Sequence, residues 1–413
     1  MKKLVSAALV AALLTTVFSL SACNDTSDVS ESSVTVEESS VQPVESSAES
    51  SQESSKKEVS KTPISGTQIS EMKSYLDSYQ NVPEFDWKIE AIHAKSVTNG
   101  ETITLICDNS SISYNKLVIQ QFKEATNTAG FKKVVVANTD GTSASVDKAL
   151  NTAVNDKSNV IILFGDIDKD AVSTNIEYAQ ANGIEVISAG CIGVGQQDHF
   201  VDYTMPVNYQ LLGKCLADWT IVQKSGSANV LAVNCTDSHL SNTVATGFQN
   251  EFDKYISNLT GYCTGINAAS SEIDNGLANK IKKALQDDPN LNYVVVFSDG
   301  MINDAVSVVS QLSKKIPVIA TGGSDDAFTA ARNGSLEMLA AQSFEWTAYG
   351  MTDYAMKVMA KASLPKEQYL PFRIITPESI ANDINRFGGL SGNFNLICFG
   401  SYFENGYSYT WQG

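Results

Sequence analysis

The sequence predicts an α/β protein built as two Rossmann-like lobes, each with a parallel sheet, joined by a hinge. From Thr102 onward, short apolar runs alternate with longer stretches of helical spacing, the signature of a doubly wound parallel sheet. The alternation occurs in two successive series of similar make-up. The chain from Glu101 onward, about 310 residues, has the length for two lobes of roughly 150 residues each.

The first series has apolar runs at 103–107, 134–137, 160–164 and 184–188. Between them, 114–129, 143–155 and 170–182 carry polar faces at helical spacing. Asp168 and Asp170 stand where N-caps belong, and Gly130 and Gly183 stand where helices stop. The second series predicts strands at 230–234, 260–263, 293–297, 318–320 and 336–341. Its helices are expected at 243–256, 275–286 and 303–313, and after 326–333, which is assigned no element type, and the last strand, a long helix at 348–360 follows. Ahead of both series, a helix over 68–79 and an extended piece over 81–87 containing Pro83 form an N-terminal arm, residues 67–100, expected to pack on the first lobe.

The N-terminus reads as an export signal. Lys2 and Lys3 precede an apolar run over 4–20, followed by Ser21-Ala22-Cys23. A basic start, a short apolar stretch and small residues before a cut make a secretory signal peptide, here 1–22. From Asn24 to Gly66 the chain holds 14 Ser, 9 acidic and 3 basic residues and no aromatic. That is too little apolar surface to offset chain entropy, so 23–66 is expected to be a disordered tether. As a flexible coil it would span roughly 35–40 Å.

Composition narrows the function. The net charge of −17 argues against nucleic acid and anionic membrane surfaces as partners. With Cys23 set aside, six cysteines remain, and their scattered spacing leaves their disulfide state open. Only three histidines occur, and no nucleophile elbow, phosphate loop or paired metal-ligand motif is present, so no reaction and no cofactor is expected. Cys235, Asp237 and His239 alternate after a predicted strand, but three ligands on one short stretch are too few for a zinc site, and no metal is expected.

Two resemblances follow from these residues. The Leu20-Ser21-Ala22-Cys23 segment resembles the lipobox of bacterial lipoproteins, which implies that Cys23 is lipidated and becomes the first mature residue, anchoring the protein on the outer face of the cell membrane. The order of elements, with phrases such as Gly183-Ile184-Glu185-Val186-Ile187, Gly247-Phe248 and Leu339-Ala340-Ala341-Gln342-Ser343, resembles the type I periplasmic substrate-binding proteins, especially the ribose/galactose-type sugar binders. This resemblance covers about residues 101–380. It implies a first lobe of 101–207 and 343–372, a second of 208–342 and 373–413, and delivery of a sugar to an ABC transporter permease.

Ligands of open parallel sheets bind beyond the carboxyl ends of the strands. The loops that meet this condition are rich in Asp, Asn, Ser and Gly, and from them Ser111, Asp166, Asp237, Asn242 and Asp299 are candidate ligand residues. The resemblance adds Tyr114, which either stacks on the ligand or packs at a helix end, and the polar positions Asn208 and Gln342. Sugar binders of this group often carry arginines and an aspartate deep in the cleft, and here those positions read Cys191, Asn242 and Gly322. The three arginines, Arg332, Arg373 and Arg386, lie off the predicted cleft loops, which favours a neutral ligand over an anionic one. The alternatives are a sensor component presenting a nucleoside or autoinducer to a receptor kinase, and an exported hydrolase.

Overall fold

The computed structural model describes residues 62–110, 113–190, 193–387 and 393–413. Residues 1–22 expected to be a signal peptide, Cys23 and nearly all of the stretch expected to be a tether lie outside the described residues.

Two helices come first, α1 (Gly66–Ser78) and α2 (Ala94–Thr98). The first series is β1 (Thr102–Cys107), α3 (Ser113–Ala129), β2 (Lys133–Val136), α4 (Ser143–Asn155), β3 (Val160–Phe164), α5 (Ser173–Ala181), β4 (Glu185–Ala189) and β5 (Tyr203–Met205). The second is α6 (Gln210–Gln223), β6 (Asn229–Cys235), α7 (His239–Lys254), β7 (Tyr262–Ala268), α8 (Leu277–Asp287), β8 (Tyr293–Val296), α9 (Ile302–Ser310), β9 (Val318–Gly322), α10 (Asp325–Arg332) and β10 (Met338–Gln342). The chain ends with α11 (Phe344–Met359), β11 (Phe372–Ile375), α12 (Pro377–Phe387), α13 (Phe394–Phe399) and α14 (Tyr402–Thr410).

Two sheets result, ordered β2-β1-β3-β4-β5 and β11-β10-β9-β8-β6-β7. All neighbours are parallel except β10 and β11, which pair antiparallel. Central strands such as β3 and β8 are buried along their whole length, as parallel strands covered on both faces must be. This is the two-lobed α/β fold that the sequence predicts.

The chain passes between the lobes at 206–209, at 342–343 and at 360–371. After the second passage α11 returns to pack along α3 and against β3, β4 and β5 of the first lobe, and the third leads to β11 in the second sheet. In the second lobe α6 and α7 cross closely, and two glycines permit it. A Cβ on Gly213 would lie 1.9 Å from the Val244 carbonyl oxygen, and one on Gly247 would lie 2.2 Å from that of Gln210.

Some expectations need correction. Helix α5 starts at Ser173 with Val172 as its N-cap, so Asp168 and Asp170 are not caps. The Asp168 carboxylate instead accepts from the Ala171 N–H at 3.3 Å, closing a turn before the helix. The arm does not pack on the first lobe alone. Helix α1 lies on α6 of the second lobe, where Met72 and Leu76 are buried and the Lys214 ammonium sits 4.2 Å from the centre of the Tyr75 ring. Helix α14, grouped from sequence with the second lobe, packs on α11, because Phe403 stacks on Trp346 at 4.7 Å and Trp411 on Tyr349 at 5.7 Å. Among the described residues five thiols, Cys107, Cys215, Cys235, Cys263 and Cys398, are free.

Candidate functional site

Each sheet reverses its strand order at one point, between β1 and β3 in the first lobe and between β6 and β8 in the second. The carboxyl ends of those strands are where a ligand crevice forms in such a sheet. The two crevices face each other across one cleft. Its walls come from the end of β3 (Phe164, Asp166), the start of α7 (Ser238, Ser241) and the end of β8 (Phe297, Asp299). Thr321, Gln342, Phe344 and Tyr209 close it at the hinge.

Asp108, just past β1, organises the first-lobe side. Its carboxylate accepts from the N–H of Asp166 at 3.0 Å and from the Asn115 amide at 2.6 Å, fixing the loop after β3 to the first turn of α3. Asp166 then reaches across the cleft, and its carboxylate accepts from the backbone N–H of His239 at 2.5 Å. It stays exposed along one edge while the cleft walls crowd its carboxyl. That crowding lifts its pKa above the ordinary value, with the His239 N–H opposing the shift and the Asp108 charge adding to it.

The second-lobe side is braced by Asp299. Its carboxylate accepts from the Gly323 N–H at 2.6 Å, the Ser324 N–H at 2.9 Å and the Ser324 hydroxyl at 2.6 Å. Burial raises its pKa, and these three bonds act in the opposite direction. Beside it, the Gln342 amide donates to the Thr321 hydroxyl at 3.2 Å, and that hydroxyl donates to the Ala340 carbonyl.

Of the eight residues singled out from sequence, the cleft brings together Asp166, Asp299 and Gln342. Asp237 does not line it, and its carboxylate holds the Ser270 N–H and hydroxyl at 2.8 and 2.7 Å. Asn242 borders a separate groove between α7 and β7, bonded to Asn234 at 2.8 Å. Asn208 sits at the hinge crossing, beside the arm. Ser111 lies outside the described residues, and of Tyr114 only the backbone, in the first turn of α3, is described.

Sequence reading missed four aromatic residues of the cleft, Phe164, Tyr209, Phe297 and Phe344. No lysine or arginine among the described residues lines it. Arg373 is spent elsewhere, in a buried ion pair with Asp383 at 2.5 Å. Among the described residues no group of three or more His, Cys, Asp or Glu is placed to hold a metal ion. The space within the cleft measures about 50 Å³. Small-molecule sites run to roughly 300 Å³ or more, so the cleft in this structure is narrower than such a site.

Two hinged α/β lobes with facing switch points define a protein that closes on a small ligand. The family comparison agrees: residues 103–363, well over half of the chain, match the periplasmic binding protein domain, and the chain belongs to that family. No curated protein matches the sequence. Solved structures of the same fold include a solute-binding protein of an ABC transporter from Agrobacterium vitis, bound with alpha-D-tagatopyranose. It is 16% identical with a TM-score of 0.58, over 70% of this chain and 98% of that one. A second, from Actinobacillus succinogenes with bound D-allose, is 17% identical with a TM-score of 0.58, over 68% and 99%. A third is a carbohydrate transporter protein from Acidothermus cellulolyticus in complex with myo-inositol. It is 16% identical with a TM-score of 0.57, over 70% and 97%.

Proposed function

We propose that this chain is an extracytoplasmic solute-binding protein that takes a small neutral polyhydroxylated ligand, a sugar, between its lobes and delivers it to an ABC importer. The make-up of the cleft carries the reading. Carboxylate, amide and hydroxyl groups of Asp166, Gln342, Ser238, Ser241 and Thr321 stand among the rings of Phe164, Phe297 and Phe344, with no cationic side chain among the described residues that line it. Sugar hydroxyls need paired donors and acceptors, and the apolar face of the ring needs an aromatic surface. An anionic ligand would meet the Asp166 carboxylate with no lysine or arginine among the described residues of the cleft wall to pair with it. The bound tagatose, allose and inositol of the structural neighbours belong to the same chemical class.

Anchoring is part of the proposal. The basic start, the apolar run and Cys23 support a lipid-anchored protein on the extracytoplasmic face, with the Ser-rich tether between anchor and lobes. Among the described residues no helix is long and apolar enough to cross a membrane.

A thermal-shift screen of D-tagatose, D-allose, myo-inositol and related neutral sugars, set against nucleosides and sugar phosphates, tests the ligand class. A neutral sugar present at 100 times its Kd should stabilise the protein by about 2.7 kcal/mol. Stabilisation by sugar phosphates alone would overturn the neutral reading, and stabilisation by nucleosides alone would favour the sensor alternative.

A further inference from the structure

Two stretches outside the family match, 62–98 before it and the described residues 376–387 and 393–413 after it, lie against the hinge crossings. Tyr79 and residues 81–84 border a groove shared with Asn208 and residues 367–372 of the crossings. Each stretch is fastened to both lobes.

The N-terminal stretch holds the second lobe first. The Ile64 N–H donates to the Asn258 carbonyl at 3.1 Å, and Tyr79 stacks on Phe372 at 4.4 Å. The Ile374 N–H and the Arg373 Nε donate to the carbonyls of Tyr79 and Gln80, both at 2.8 Å. After 81–84, which form no regular element, the stretch holds the first lobe. Phe85 packs edge-on against Tyr407 at 5.0 Å and over Trp346 at 6.3 Å, and the Thr98 hydroxyl donates to the Ala129 carbonyl at 3.0 Å.

The C-terminal stretch repeats the pattern. On the second lobe Asp383 pairs with Arg373, and Phe394 stacks on Phe328 at 5.9 Å. Past Gly400, whose φ of +70° suits a turn, α14 docks on α11 of the first lobe. There the Trp411 indole N–H donates to the Asp353 carboxylate at 3.0 Å. The two stretches also bind each other, because the N–H groups of Ile92 and Ala94 donate to the carbonyls of Thr410 and Trp411 at 2.8 and 2.9 Å. Their irregular joints are adjacent, with a Cβ on Gly400 falling 3.9 Å from Val82.

We infer that the two terminal extensions form a clasp across the hinge that restrains how far the lobes open. A swing that separates the lobes about their three crossings must also lengthen the two extra passages. The five links from Gln80 to Phe85 reach at most about 18 Å when fully extended, and the Gly400 joint is shorter still. Wider opening therefore requires Phe85 or α14 to leave its seat. This inference goes beyond the ligand reading and does not rest on it.

The test is single-molecule energy transfer in the full-length protein, without added ligand, between dyes at position 148 on α4 and position 282 on α8, both exposed. One form carries a protease site inserted between Val82 and Pro83 and is read before and after cutting. A second, Phe85→Ala, weakens the first-lobe seat with the chain intact. Both should move the mean dye separation outward by more than about 2 Å and broaden its distribution relative to wild type. Equal distributions in wild type, cut protein and Phe85→Ala, each still folded by circular dichroism, overturn the clasp. If cutting unfolds the protein, Phe85→Ala alone decides. Because no ligand enters the measurement, a failed sugar screen leaves its result standing.

Discussion

The carboxylate of Asp166 accepts a hydrogen bond from the backbone N–H of His239 at 2.5 Å, and so joins the first lobe to the opening turn of α7 in the second. A carboxylate at a helix N-terminus meets unsatisfied N–H groups and the positive end of the helix dipole, typically worth 0.3–1 kcal/mol when exposed. The same carboxylate faces the cleft, and under the proposed function it is a ligand contact as well as a lobe contact. Asp166→Ala should weaken binding of the screened sugar about tenfold or more, the equivalent of 1.4 kcal/mol. Asp166→Asn, which keeps an acceptor but loses the charge, should fall between that variant and wild type. Calorimetry that finds both variants at wild-type affinity would place the ligand elsewhere.

Gln342 ends β10 at the second crossing, with its amide on Thr321. Gln342→Ala leaves the Thr321 hydroxyl bonded to the Ala340 carbonyl, so the fold should survive. Sugar hydroxyls would lose a partner, at a cost of about 1–3 kcal/mol, which weakens binding roughly five- to a hundredfold. Lys282→Ala, on the exposed face of α8, is the control and should change nothing. An affinity unmoved by Gln342→Ala in a folded protein removes this residue from the site.

Asp299 is a brace as well as a wall, and its variant should behave differently. Asp299→Ala strands the N–H groups of Gly323 and Ser324, so thermal stability should drop by about 1–3 kcal/mol together with affinity. Loss of affinity with unchanged melting would mean that Asp299 contacts ligand directly and braces nothing.

How much of this was legible in sequence depended on periodicity and burial. Strand β3 was read at its observed bounds, 160–164, because a fully buried parallel strand is an unbroken apolar run. Helix α6 was invisible for the opposite reason. Leu212 and Gly213 and the run from Cys215 to Ile221 are all buried, so no polar face marks a helical period. Strand β5, at three residues, falls below any pattern. In the site, Asp166 and Asp299 stood out as polar residues just past strand runs. Phe164 and Phe297 read as the last apolar residues of those same runs, which hid their place in the cleft. Asn242 illustrates the limit of loop reasoning, since it follows Ser241 by one position on α7. A step of about 100° around the helix turns it from the cleft to the neighbouring groove.

Anchoring gives a prediction independent of the lobes. Cys23→Ala should release protein into the medium or leave the precursor uncut, while sugar affinity stays at the wild-type value, because Cys23 is remote in sequence from every cleft residue. Labelled fatty acid that fails to enter the wild-type protein would remove the lipid anchor from the proposal.

The last prediction concerns pH. Glu345, in the first turn of α11, faces Glu124 of α3, Glu404 of α14 and the amides of Asn393 and Asn395 at α13. Burial first, then the charges of Glu404 and Glu124, push its carboxyl up to about 7, against hydrogen bonds from the two asparagines. Between its ordinary 4.5 and about 7 the native protein holds a proton that the unfolded chain has released. The unfolded state then binds fewer protons, so stability falls as pH rises. This contribution is fully present below pH 4.5 and is lost as pH passes 7. Asp218, raised to about 6 by burial despite its Lys214 partner, acts in the same direction. Lowered carboxyls such as Asp140 and Asp288 act the other way only near pH 4 and below. The melting temperature should therefore drop by a few degrees between pH 5.5 and pH 8.5, at about 2–4 °C per kcal/mol. Glu345→Gln should flatten part of that slope, the other raised carboxyls Asp166, Asp218 and Asp299 keeping the rest, and melt higher than wild type at pH 8.5. Parallel slopes in the two proteins would mean that Glu345 titrates near its ordinary value, and that the packing of α13 and α14 against α11 leaves its carboxyl open to water.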